Sequence, residues 1–96
     1  MKKKEITTVT IISQVEDIVA SNVDGETVMM SIENGHYYGL DDIGSIIWEL
    51  IEKPTRVSDL IDMLVEKFTV DHETCEKDVL KFLNGLNEDN ILVVRK

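Results

Sequence analysis

The chain has one cysteine, one proline, one tryptophan and two phenylalanines in 96 residues. A lone thiol, Cys75, cannot close an internal disulfide, which fits a reducing compartment. No stretch approaches the ~20 consecutive apolar residues of a membrane helix. The opening "MKKKEITTVTIISQ" is basic, but Thr7, Thr8 and Thr10 break its apolar positions. It therefore lacks the core of a secretory signal, and the chain reads as cytoplasmic with no membrane partner. Glycine-rich phosphate loops, CxxC pairs and HExxH are missing. Bases are scarce as well: 10 Lys and Arg stand against 19 acids, for a net charge of −9. Three of those bases are Lys2, Lys3 and Lys4, so the rest is more acidic still. Such a surface repels a phosphate backbone.

What is present is a globular composition, 43% hydrophobic and 30% charged. The length suits one domain, 1–96, with a modest core. Its pattern divides into a β part over about 6–40 and a helical part over about 41–90. "TVTII" is rich in β-branched residues and reads as an early strand. Asp24-Gly25 separates "DIVASNV" from "ETVMMSIE", and Asn34-Gly35 separates the latter from "HYYGL". Asp-Gly and Asn-Gly between apolar runs favour two-residue hairpins, because both central residues must take positive φ. The expectation is an antiparallel meander of three strands, near 16–22, 26–33 and 36–40.

Two-residue turns would set Val23 opposite Glu26 and Glu33 opposite His36. Val19 then pairs with Met30, and Met30 with Gly39. Opposed residues share a face. One face carries Val19, Val23, Val28, Met30, Ile32 and Tyr37; the other carries Ile18, Ala20, Met29, Tyr38 and Leu40. Both are apolar, so helices are expected over one and the early strand over part of the other.

Asp41 or Asp42 can cap a first helix whose apolar positions are Ile43, Ile46, Ile47, Leu50 and Ile51. Pro54 stops it. Thr55 can cap a second helix, with Val57, Leu60, Ile61, Leu64, Val65 and Phe68 in helical spacing. Asp71 can cap a third, with Cys75, Val79, Phe82, Leu83 and Leu86, weakened late by Gly85. "ILVV", 91–94, suits a short final strand. The fold class is thus α+β: a three-stranded meander followed by three helices, winged helix-turn-helix-like.

The chemistry is sparse. Cys75 and His72 lie three apart, but Cys75 sits in an apolar stripe, where a thiol serves as a small hydrophobe. His36, His72 and Cys75 lack the paired spacing of a zinc site. No catalytic residue, metal set or cofactor is read from the sequence. The third helix, over 71–86, holds four acids against two bases, the wrong sign for a DNA reader. Peptide or protein recognition remains. "HYYGL" has one neighbour in the meander, so it is either an open edge that takes a peptide as an added strand or an edge covered by the first strand or a second copy. Trp48, beside the stripe of the first helix, reads as a core residue.

Two motifs carry a family resemblance. "GHYYGLDDIGSIIWELI" resembles the signature of the PqqD-like family, especially members that accompany lasso-peptide genes, through Gly35, Tyr37, Tyr38, Leu40, Asp41, Gly44, Ile47, Trp48 and Leu50. "DVLKFLNGLNEDNIL" is similar to that family's closing motif through Asp78, Val79, Phe82, Leu83, Leu86 and Leu92. Asp41 stands where members often have Asn, and Asn90 lies near a frequent Gly. The resemblance spans about 16–94. It implies a non-catalytic element that binds the leader of a ribosomally made, post-translationally modified peptide. The leader would add as a strand to His36, Tyr37, Tyr38, Gly39 and Leu40. Its apolar anchors would enter a groove against the helix at 71–88, walled by Cys75, Val79, Phe82 and Leu83, with Met30, Glu76 and Asp78 nearby. The partners implied are the precursor leader and, in trans, a leader protease or other modifying enzyme. The alternative is a winged-helix interaction or regulatory module that binds no leader.

Overall fold

The computed structural model describes residues 5–24, 26–33 and 35–95. Lys2, Lys3 and Lys4, with Gly25 and Asn34 of the two expected turns, lie outside the described residues. Among the described residues, six strands and three helices follow in the order β1 (Ile11–Gln14), β2 (Ile18–Val23), β3 (Glu26–Ser31), β4 (Tyr37–Leu40), α1 (Asp42–Leu50), β5 (Thr55–Arg56), α2 (Val57–Phe68), α3 (His72–Glu88) and β6 (Leu92–Arg95). The architecture is the expected α+β, with β2–β3–β4 as the antiparallel meander.

Val23 faces Glu26 and Val19 faces Met30, as the Asp-Gly turn requires. Asp24 takes φ 53°, the left-handed region that such a turn demands. The second hairpin differs. Met30 pairs with Tyr37, not Gly39, a register two residues shorter than a two-residue turn would set. The cause lies in the loop. Ser31 N–H donates to His36 C=O at 3.0 Å and Gly35 N–H to Ser31 C=O at 2.8 Å, so residues 32–35 form the connection. Gly35, at φ 72°, supplies its left-handed position. A slip of two keeps every side chain on its face, so the predicted faces survive.

The face with Met29, Tyr38 and Leu40 turns inward. Met29 is fully buried and Leu40 nearly so, together with Ile47, Ile51, Leu60, Ile61 and Leu83. Each such side chain stabilises by about 1.5–3 kcal/mol. The early strand does not cover the opposite face. It begins later than expected and joins a second sheet, ordered β5–β1–β6, that the sequence did not announce. "ILVV" supplies β6, which pairs antiparallel with β1.

Asp41 caps α1, its carboxylate accepting Gly44 N–H at 2.7 Å. Asp71 caps α3 through Thr74 N–H at 3.0 Å. That bond, with a second from the Thr74 hydroxyl at 3.2 Å, holds the Asp71 carboxyl below the usual range. Thr55 does not cap α2. Its single hydroxyl proton is shared between the Leu50 and Lys53 carbonyls, and Arg56 occupies the cap position without a side-chain bond. The first amides of α2 are instead met from afar: Val57 N–H by Thr10 C=O at 2.9 Å and Ser58 N–H by Thr8 C=O at 2.8 Å. A local cap was unnecessary because the chain before β1 supplies the acceptors. Residues 69–71 then join α2 to α3, with Thr69 left-handed at φ 52°. Trp48 is buried, as its place beside the α1 stripe suggested.

Candidate functional site: an open strand edge beside a helical groove

β4 has β3 as its only strand neighbour among the described residues. The Ser31–His36 bond turns the backbone groups of His36, Tyr38 and Leu40 toward β3. By alternation, the N–H and C=O of Tyr37 and Gly39 face the open edge. Gly39 adds no bulk there: a Cβ at that position would meet nothing within 4 Å.

The C-terminal end of β4 is held by a side chain. Thr27 faces Leu40 in the ladder, yet Thr27 N–H donates to Ser45 Oγ at 2.9 Å. The same hydroxyl donates to Leu40 C=O at 3.3 Å. Ser45, buried in the first turn of α1, thus stands in for the last rung and fixes the edge strand to the helix.

A groove of about 630 Å³ runs between this edge and α3. Tyr37, Tyr38, Gly39 and Leu40 form one wall; Asp78, Lys81, Phe82, Gly85, Leu86 and Asp89 form the other. The helical set recurs at i+3, i+4, i+7 and i+8, which is one face of a helix. A second depression of about 310 Å³ adjoins it through Asp78 and Phe82, lined also by Ile43, Gly44, Ile47 and Val79. A third, of about 170 Å³, holds Cys75 and Val79 among Ile43, Leu64, Phe68 and Val70. Gly44 permits this packing, since a Cβ there would stand 3.2 Å from the tip of Phe82. Burial, and secondarily the Asp78 charge, push the Cys75 thiol above its ordinary range. It sits protonated and apolar at neutral pH.

Of the residues singled out from the sequence, Tyr37, Tyr38, Gly39, Leu40, Asp78 and Phe82 line the main groove, with Val79 and Cys75 in the depressions beside it. Leu83 is fully buried and belongs to the core. Met30, paired with Tyr37 in the ladder, lines none of the three depressions. His36 is exposed and spends its carbonyl on Ser31, and Glu76 lines none of the three depressions. Lys81, Gly85 and Asp89 were not singled out, although their spacing from Asp78 places them on its face. Ile43 and Gly44 reach the site only through the packing of α1 on α3. Among the described residues no cluster of His, Cys, Asp and Glu could hold a metal, and no helix is long and apolar enough to cross a membrane.

An open edge with an apolar trough alongside is the geometry of strand-addition peptide readers. The profile of the family described as coenzyme PQQ synthesis protein D (PqqD) matches residues 26–92, so the chain belongs to the PqqD family. Among solved structures, TbiB1 in complex with the TbiA(beta) leader peptide is similar at 32% identity and a TM-score of 0.77, over 83% of this chain and 93% of that one. Lasso peptide synthetase B1 complexed with the leader peptide shares the fold at 18% identity and a TM-score of 0.75, covering 85% and 96%. The PqqD truncation of Methylobacterium extorquens PqqCD, a stand-alone recognition element for ribosomally synthesised and post-translationally modified peptides, shares it at 20% identity and 0.72, covering 86% and 88%. No curated protein matches the chain.

Proposed function

We propose that this chain is a cytoplasmic, non-catalytic leader-recognition domain of a lasso-peptide or related pathway. The precursor's leader adds as a strand to β4, bonded to the outward N–H and C=O groups of Tyr37 and Gly39. Apolar leader side chains on alternate positions enter the groove against α3, and the remainder of the precursor is held for a processing enzyme, such as a leader protease, acting in trans. The observation that carries this reading is the open β4 edge lying directly against the groove. TbiB1, the relative at 32% identity, is itself a leader-peptide complex, which supports it.

Apolar anchors dominate affinity in such a site, and the carboxylates of Asp78 and Asp89 favour a basic residue nearby. The test is titration of the precursor's leader by fluorescence polarisation, with a proline scan. Micromolar binding, about −8 kcal/mol, is expected. Proline at alternate leader positions should abolish it, because each removes a ladder donor. No binding at about 100 μM leader would sink the proposal.

A further inference from the structure

The groove is open space between β4 and the second half of α3, so its width is set by what holds that half of the helix from its other sides. At Phe82 the helix packs over Gly44 of α1. The turn beyond is intrinsically weak. Asn84 and Gly85 stand together there, and both are poor helix formers.

Asn84 ties that turn to the start of the chain. Its side-chain oxygen accepts Ile6 N–H at 2.8 Å, and its amide nitrogen donates to Ile6 C=O at 3.3 Å. The nitrogen's other proton goes to Leu80 C=O, one turn back, at 2.9 Å. One side chain thus pairs with both backbone groups of a residue 78 positions away. That residue is itself fixed. Ile6 is buried, Thr10 N–H donates to Thr7 C=O at 3.2 Å, and Thr7 N–H donates to the Thr10 hydroxyl at 2.9 Å. The carbonyls of Thr8 and Thr10 then meet the first amides of α2. Residues 6–10 therefore form a clasp between the start of α2 and a turn of α3. Asn84 lies next to Gly85 and one turn from Lys81, and both of these line the groove.

We propose that Asn84 is a positioning residue for leader binding: through the clasp at residues 6–10 it fixes the width of the groove, and with it the size of leader side chain that the groove accepts. The inference rests on the leader-binding reading for the identity of the peptide. With the clasp closed, the second half of α3 stands at one distance from β4 and anchors are selected by size. With it open, the helix swings outward and larger side chains are preferred.

The test uses the full chain and its precursor leader, with one apolar anchor of the leader varied through Ala, Val, Leu, Phe and Trp. Asn84→Ala removes both bonds to Ile6. Alanine is the better helix former, so a loss of binding cannot come from the helix itself. Thr10→Val opens the clasp without touching α3. Asp71→Ala, which removes the cap at the other end of the same helix, is the control. The fluorescence of the buried Trp48 checks that each variant is folded. Asn84→Ala should bind the parent leader about fivefold or more weakly, and its preferred anchor should be larger than the parent's. Thr10→Val should move both in the same direction by less, and Asp71→Ala should keep the parent's preference. An unchanged anchor preference in Asn84→Ala overturns the proposal even where affinity falls, because lost stability alone weakens every anchor alike. The same shift in Asp71→Ala also overturns it. If Asn84→Ala does not fold, Thr10→Val decides by the same criterion. A parent that binds no leader retires the leader-binding function, and spin labels on Tyr37→Cys and Glu88→Cys in a Cys75→Ala background then test the clasp alone. Both labelled positions are exposed. Asn84→Ala should lengthen and broaden the distance between them, and an unchanged distance overturns the proposal.

Discussion

Replacing Ser45 with alanine tests how the edge strand is held. The hydroxyl accepts from Thr27 N–H at 2.9 Å and donates to Leu40 C=O at 3.3 Å, and both Ser45 and Thr27 are about 95% buried. Alanine leaves the amide in place, without its partner and away from water. A buried unsatisfied donor costs about 1–3 kcal/mol. The longer bond to Leu40 adds less, because that carbonyl has a second lone pair. In a domain of this size each kcal/mol shifts Tm by roughly 4–8 °C, so a fall of about 10 °C is expected. Urea unfolding followed by Trp48, the only tryptophan and one turn along α1, measures the change directly. Ser21→Ala, on the exposed strand β2, is the control and should stay within about 0.5 kcal/mol. The Thr27 and Tyr38 amides should also exchange faster in Ser45→Ala, and leader affinity should fall as β4 loosens. A Ser45→Ala protein within about 0.3 kcal/mol of its parent would refute the reasoning, since it would mean that water or the Leu40 carbonyl can replace the hydroxyl.

Gly85→Leu should move stability and binding in opposite directions: it replaces a helical glycine, worth up to about 1 kcal/mol, yet fills the groove opposite β4 and should weaken the leader at least tenfold. Equal leader affinity would place the peptide elsewhere. Gly35→Ala should cost about 1–2 kcal/mol in urea unfolding through the left-handed position, whereas Gly35→Asn should cost less. Cys75, with its thiol pushed up by burial, should react slowly with iodoacetamide at pH 7 and faster as pH rises, and bound leader should protect it further. Asp71 titrates below its unfolded value, so its contribution is present above that value and is lost as pH falls through the folded one. Protection of the Thr74 amide, measured against its intrinsic exchange rate at each pH, should fall over that acid range in the parent and change little in Asp71→Asn.

Much of this was legible because short-range rules govern it. Asp41 and Asp71 stand at caps, the apolar spacing of α1, α2 and α3 marks their buried faces, and Asp-Gly sets the first hairpin. The second hairpin shows the limit of such rules. Asn-Gly signals a turn, but not its length; the Ser31 amide chose His36, and the register moved by two without changing a face. What stayed hidden depends on residues distant in sequence. Thr8 and Thr10 cap α2 from about fifty positions away, and β1 finds β5 and β6 rather than the meander. In the site, the strand half was readable from alternation, and the α3 half partly so. Leu83 and Phe82 are adjacent in an apolar run, and only packing decides that one fills the core and the other walls the groove.

The ladder between β1 and β6 sets Ile11 across from Arg95, so the first strand begins where the last one ends. The sheet they share does not contain β4. Arg95 thus sits beside the start of β1, in a sheet other than the one whose edge is open. The residues before β1 run back over the helices instead, with Ile6 buried and bonded to Asn84 of α3. The two ends of the described chain are therefore tied to different parts of the fold: the last strand to β1, and the first residues to the helix that walls the groove.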